Sequence, residues 1–250
     1  MKLIYSNLQF ELTRRCNEAC AHCCRGEAQD IDLTKETIDN FFNNNDIHTI
    51  STLMFSGGEP TLNGKMLEYI VDKIIEKDII VHMFMISING LSYSEELING
   101  LNKLKDYIIS KNNKVRCPGI LFISQSQFHK DADEEVIKKL EELSYFAKVE
   151  KEIIPDDELI PYGRAYENGL SSQKPNLEDL TNYEKNYRVK NNDGIDYLFI
   201  NYQYMAANGN IINDGIQSYD LMDEYSLGNV NKQNIEDMYL NNKSKTYKIT

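Results

Sequence analysis

The sequence contains no run approaching the ~20 apolar residues that a membrane-spanning helix requires. It also opens without a signal-peptide core or cleavage site. A cytoplasmic location is the resulting expectation, with no membrane partner. Basic residues are in deficit: 27 Lys and Arg stand against 39 Asp and Glu, a formal net charge of -12. Nucleic acid is thereby disfavoured as the main partner, because a phosphate backbone needs a basic surface. The acidity serves solubility. Internal repeats and low-complexity tracts are absent. A disulfide framework is excluded as well: the five cysteines are odd in number, and four of them fall within nine positions. No cysteine follows Cys117.

What is present suits one large α/β domain or two small ones in 250 residues, 41% of them hydrophobic. Alternation over residues 5–13 predicts a first strand. Thr34 is placed to cap a helix running to about Asn44, with Ile38, Phe41 and Phe42 inward. Further strands are expected at Ile50 to Phe55, Ile79 to Ile88, Val115 to Ser124, Lys148 to Ile154 and Asp196 to Tyr204. Helical spacing of Met66, Leu67, Ile70, Val71 and Ile74 marks a helix from Lys65 to Lys77. Ser92 and Glu95 form a candidate capping box before a helix that buries Leu97, Leu101, Leu104 and Ile108. Another helix starts near Asp133, where Asp131 to Asp133 supply helix-start charges, and buries Val136, Ile137, Leu140 and Leu143. Residues 155–194 read as a long irregular connection, Asn208-Gly209 as a hairpin turn, and Asn234 to Tyr239 as a last short helix. Strands alternating with helices imply βαβ units and a parallel sheet.

The chemistry concentrates in Glu11 to Gly26, where Cys16, Cys20 and Cys23 follow the first strand. Three thiolates spaced four and three residues apart can converge on a soft metal centre. They cannot close a four-ligand structural zinc site unaided. Cys24 adjoins Cys23 and is poorly placed to share its ion. Cys24 and Cys117 read as small core residues.

C-x-x-x-C-x-x-C after a first strand resembles the radical S-adenosylmethionine (SAM) superfamily. Ser56-Gly57-Gly58-Glu59-Pro60 after the second strand resembles that family's G-G-E-P motif. The paired glycines permit close backbone approach, and carbonyls with a carboxylate suit the ammonium group of SAM. Weaker likenesses lie in Ser87-Ile88-Asn89-Gly90, in Ser124-Gln125-Ser126-Gln127-Phe128-His129, and in Gly163-Arg164-Ala165. Ser126 stands where the family usually has aspartate. The tail from Asn208 to Leu240, through Asn208-Gly209 and Leu227-Gly228-Asn229-Val230, resembles peptide-modifying (SPASM-type) relatives. It lacks the cysteines of their auxiliary clusters.

The resemblance implies a partial parallel (β/α)6 barrel with a short C-terminal hairpin and helix extension. Residues 1–165 would be the radical SAM core, and 166–250 the final strand and extension packed on it as a single domain. One 4Fe-4S cluster on Cys16, Cys20 and Cys23 would leave one iron for SAM. His22, Gly57, Gly58, Glu59, Pro60, Ser87, Asn89, Ser124 and Arg164 are the candidate SAM contacts. Reductive cleavage would give a 5′-deoxyadenosyl radical that abstracts hydrogen from a substrate, with flavodoxin or ferredoxin as electron donor. A tyrosine in the barrel mouth could relay a hydrogen atom. A peptide or peptidyl side chain is the first substrate reading. No leader-peptide-binding domain is expected before the first motif, so such recognition would need a separate partner. The other readings are a small metabolite or nucleotide, activation of a glycyl-radical enzyme, and a structural iron–sulfur or zinc protein.

Overall fold

The structure, a computed structural model, describes residues 1–148, 151–176, 186–213, 215 and 217–241. Six strands run parallel in one open sheet. They are β1 (Lys2–Glu11), β2 (Asp46–Ser56), β3 (Ile80–Ile88), β4 (Gly119–Ile123), β5 (Phe146–Ala147) and β7 (Ile195–Met205), in the order β5-β4-β3-β2-β1-β7. Strand β6 (Tyr187–Asn192) pairs antiparallel with β7. Strands β8 (Asn210–Ile212) and β9 (Gly228–Asn229) continue beyond β7, also antiparallel. Helices α1 (Lys35–Asn43), α2 (Gly64–Glu76), α3 (Glu95–Lys111) and α4 (Glu134–Glu141) form the crossovers. The expected partial (β/α)6 barrel is therefore present, and its sheet does not close.

The apolar periodicity places these helices. Ile38, Phe41 and Phe42 of α1 are buried, and the Phe41 ring meets Phe10 of β1 edge-on at 5.4 Å. The Thr34 hydroxyl accepts from Thr37 N–H at 3.2 Å, a cap worth ~1 kcal/mol. Asp133 caps α4 through Glu135 and Val136. Among the described residues no helix is long and apolar enough to cross a membrane.

Several boundaries depart from the pattern reading. Strand β1 is shifted to Lys2–Glu11, because Leu12 and Thr13 already turn into the cysteine loop. Strand β2 starts at Asp46, four residues early, and pairs with β1 along its whole length. The cap of α3 is Ser94 rather than Ser92; Ser92 bonds Thr61 instead. Strand β4 is five residues long, since the polar stretch after Val115 turns outward. Phe146–Ala147 forms the fifth strand, ahead of the expected Lys148 to Ile154. Among the described residues of that range, Glu152 alone makes a bridge, to Ser126, and residues 149–150 lie outside the described set. The expected irregular stretch contains α5 (Gly163–Glu167) and β6, with residues 177–185 outside the described set. Gly209 has φ 85 in the turn between β7 and β8. Helices α6 (Tyr219–Glu224) and α7 (Ile235–Leu240) end the described chain, α7 being the predicted short helix with Asn234 as its cap.

Candidate active site

The parallel strands deliver their C-terminal ends to one cavity of ≈ 350 Å³. Ser56 ends β2, Ser87 lies near the end of β3, and Ser124 follows β4. Cys16, Cys20 and Cys23 line this cavity. So do His22, Gly57, Gly58, Glu59, Pro60, Ser87, Asn89, Ser124 and Arg164. Every residue singled out from the sequence as a cluster ligand or SAM contact thus converges on a single space.

The cysteine loop is held at its start, middle and end. At its start, Gly58 N–H donates to Thr13 C=O at 2.7 Å and Glu59 N–H to Arg15 C=O at 2.8 Å. A Cβ on Gly58 would lie 2.3 Å from the Arg15 carbonyl oxygen, and one on Gly57 2.6 Å from that of Thr13. The paired glycines therefore let β2 touch the cysteine loop itself. In its middle, the Arg164 guanidinium donates to Cys20 C=O at 2.9 Å, and Asn168 donates to Ala21 C=O at 2.9 Å. Arg164 N–H also donates to Cys23 C=O at 2.9 Å. Gly163, at φ 51, sits so close that a Cβ would lie 2.4 Å from Gly26 N. At its end, Tyr219 N–H donates to Arg25 C=O at 3.1 Å.

Arg164 thus acts on the loop backbone. Arg164→Ala is expected to lower iron affinity about 10–100-fold, the usual effect of losing an outer-shell support. Iron titration of the reconstituted variant checks this; unchanged affinity would show that the loop holds itself.

Beneath the loop lies a network the sequence reading missed. Arg14 is completely buried. It donates to Glu11 at 3.1 Å, to Gln29 at 2.8 Å, and to Asp223 of α6 at 2.9 and 2.8 Å. The buried Glu11 carboxylate also accepts from Tyr204 O–H at 2.7 Å and Ala207 N–H at 2.8 Å. Arg14 holds Asp223 below the usual carboxylate range, although partial burial works the other way. The local signal was three cations, Arg14, Arg15 and Arg25, flanking the cysteines of an acidic chain.

The Glu59 carboxylate lines the cavity and is also held by neighbours. One oxygen accepts from Thr61 N–H at 3.0 Å and Thr61 Oγ1 at 2.7 Å, and the other from Asn89 N–H at 2.8 Å. Asn89 in turn donates to Asn17 at 2.6 Å. Burial raises the Glu59 pKa, and these donors oppose the rise. Glu59 is a tie between the ends of β2 and β3.

His22 stacks on Phe128 at 4.8 Å and meets His129 edge-on at 4.8 Å. Burial, with His129 adding to it, lowers its pKa to about 4, so the ring is neutral at neutral pH. Its Nδ1 is buried and has no hydrogen-bond partner among the described residues. The Ser87 and Ser124 hydroxyls bond to each other. Ser126 bonds His129 Nδ1 at 2.8 Å and closes a local turn. A second cavity of ≈ 590 Å³ shares His22, Ser124, His129 and Ile154 with the first. Cys24 lines the first cavity and Cys117 is exposed, so neither is the core residue expected. Tyr219 is the tyrosine that reaches the cavity wall.

The donor set fits an iron–sulfur cluster with SAM. Three partly buried free thiols line one space. Thiolates are the ordinary ligands of such clusters. Burial, then the Glu18 carboxylate, pushes the Cys20 pKa up to about 12, and burial raises that of Cys16. Loading a cationic centre therefore releases protons. No three His, Cys, Asp or Glu side chains among the described residues converge as around a single ion. The thiols surround the cavity rather than meet at a point. The orphaned His22 Nδ1 offers one further polar contact at the wall.

The radical SAM superfamily model matches residues 10–111, the segment that carries both motifs. No curated protein matches the chain. Native anSMEcpe with bound AdoMet and Cp18Cys peptide shares the fold at 13% identity, over 98% of this chain and 81% of that one, with a TM-score of 0.56. A polyhistidine-tagged form of anSMEcpe with bound AdoMet matches at 12% identity, over 97% and 81%, with a TM-score of 0.56. Streptococcus suis SuiB bound to precursor peptide SuiA is a weaker likeness, at 12% identity over 97% and 67%, with a TM-score of 0.45. By the family match over residues 10–111 and the shared open barrel, this chain is similar to the radical SAM superfamily, a class of enzymes.

Proposed function

We propose that this enzyme binds one 4Fe-4S cluster through Cys16, Cys20 and Cys23 and acts on a peptide or peptidyl side chain. The observation that carries the cofactor assignment is the convergence of three partly buried thiols and the Gly57–Pro60 backbone on one cavity. A reduced cluster of this kind supplies the electron that splits SAM into methionine and a 5′-deoxyadenosyl group able to take hydrogen from carbon. The protein's part is placement. Arg164, Gly163 and Gly58 fix the loop that presents the thiols, while Glu59 and Asn89 fix the β2 and β3 ends. Ile154, Leu159 and Ile160 add apolar surface to the cavity wall.

The peptide reading draws support from the shared fold with a peptide-bound enzyme over nearly the whole chain. A flavodoxin or ferredoxin would supply the electron, and the location would be cytoplasmic. Anaerobic reconstitution, reduction and addition of SAM tests the enzyme chemistry by the appearance of 5′-deoxyadenosine. One zinc per chain and no such product would overturn it.

Glu59→Gln is expected to weaken SAM binding about tenfold, or 1.4 kcal/mol, with iron content near wild type. The amide sets a donor against Asn89 N–H and loosens the backbone that faces SAM. Equilibrium dialysis with labelled SAM and an iron assay read the two effects. Loss of iron would instead place Glu59 in the support of the cluster.

A further inference from the structure

Arg25 is a cation lining the cavity that no carboxylate of the described residues contacts. Its guanidinium lies 5.0 Å from the centre of the Tyr204 ring, donates to Gln217 C=O at 3.3 Å, and touches Met222 Sδ at 3.4 Å. No carboxylate oxygen among the described residues comes within 4.0 Å of it. The neighbouring acid, Glu11, is already spent on Arg14, Tyr204 and Ala207. Arg14, Arg15 and Arg164 each hold a carboxylate. Glu11 acts on Arg25 only at a distance, so among the described residues the guanidinium keeps donors that no carboxylate contacts, and a ligand carboxylate at the cavity wall would meet them directly. Its remaining donors form a fork suited to a carboxylate.

The position of Arg25 separates it from the proposed SAM contacts. Ser87 and Ser124 stand at the ends of β3 and β4. Arg25 packs over β7, with β2 and β1 between them in the sheet. The cavity therefore has a hydroxyl-lined end and a cationic, tyrosine-walled end. We propose that Arg25 is the docking point for a carboxylate of the substrate, with the Tyr219 ring as the adjoining wall. A single cation, with Arg14 already neutralised, suits a singly charged carboxylate rather than a phosphate. The proposal rests on the peptide reading above, in which the carboxylate is an acidic side chain or a chain terminus.

The test is ligand-observed NMR titration of the cluster-loaded, SAM-bound protein. One probe pair is acetyl-Gly-Glu-Gly-amide and its Gln counterpart. A second is acetyl-Gly-Gly-Gly as free acid and as amide. Glutarate and glutaramide form a third. Wild type is expected to prefer an acid over its amide at least tenfold; Arg25→Gln brings the ratio to about one, and Arg25→Lys keeps part of it. The peptide pair that shows the preference identifies the side chain or the terminus. Preference confined to glutarate keeps the Arg25 site and overturns the peptide reading. No acid preference in wild type, or one that survives in Arg25→Gln, overturns the site. SAM affinity is measured in parallel by dialysis. A tenfold loss in Arg25→Gln without loss of acid preference places the SAM carboxylate there and overturns the substrate assignment.

Discussion

Cys16→Ala is expected to leave a folded protein with no bound iron and no 5′-deoxyadenosine formation. Two thiols remain, and the cluster has no third anchor. The fold should survive, because the loop backbone near Cys16 is fixed by Gly58 N–H to Thr13 and Glu59 N–H to Arg15, neither of which uses the thiol. The iron-free variant should unfold within a few degrees of the iron-free parent. An iron assay, the visible absorbance of the reconstituted protein and product analysis decide the outcome. Iron at the parental level would mean that Cys24, next to Cys23 on the same cavity wall, has replaced the lost ligand, and the assignment of the trio would fall.

Gly58→Ala is expected to be strongly destabilising. The new Cβ would lie 2.3 Å from the Arg15 carbonyl oxygen, 2.7 Å from its carbon and 2.9 Å from the Arg14 carbonyl oxygen. All three are backbone atoms and cannot swing aside. Relief requires β2 to withdraw from the cysteine loop and to give up two hydrogen bonds. Overpacking and the lost bonds together cost about 3 kcal/mol or more, roughly 6–12 °C in Tm for a chain of this size. Thermal unfolding of the iron-free protein measures this. Iron uptake should fall with it, since the displaced backbone carries Cys16. A Tm within two degrees of the parent would show that the close approach does not exist in solution.

Much of this was legible locally. The helix faces of α1, α2 and α3 followed from apolar spacing, because burial of one stripe is all that such a pattern records. The thiol trio and the Gly-Gly-Glu-Pro turn could be read because each is short and contiguous. Their meeting in one cavity required only that parallel strands end on the same side. What escaped were side chains whose role depends on partners far along the chain. Glu59 was read as a ligand contact, and the spacing did not show its further bond to Asn89, thirty positions on. Arg164 was read as a cofactor contact; its bonds to Cys20 and Cys23, about 140 positions back, were not legible. The glycines were read as allowing a ligand to approach; that they also let residues 13–15 pack against them depends on the tertiary fold. The Ser94 cap was missed because Ser92 and Ser94 offer the same local chemistry, and only the tertiary bond of Ser92 to Thr61 separates them.

The bond between Arg14 and Asp223 spans 209 positions, and this imposes an order on assembly. Glu11, three positions earlier, is made first and gives that cation an early partner. The second acid leaves the ribosome only when nearly the whole chain has been made, so the tie between the cysteine loop and the C-terminal helix is the last of these bonds to close.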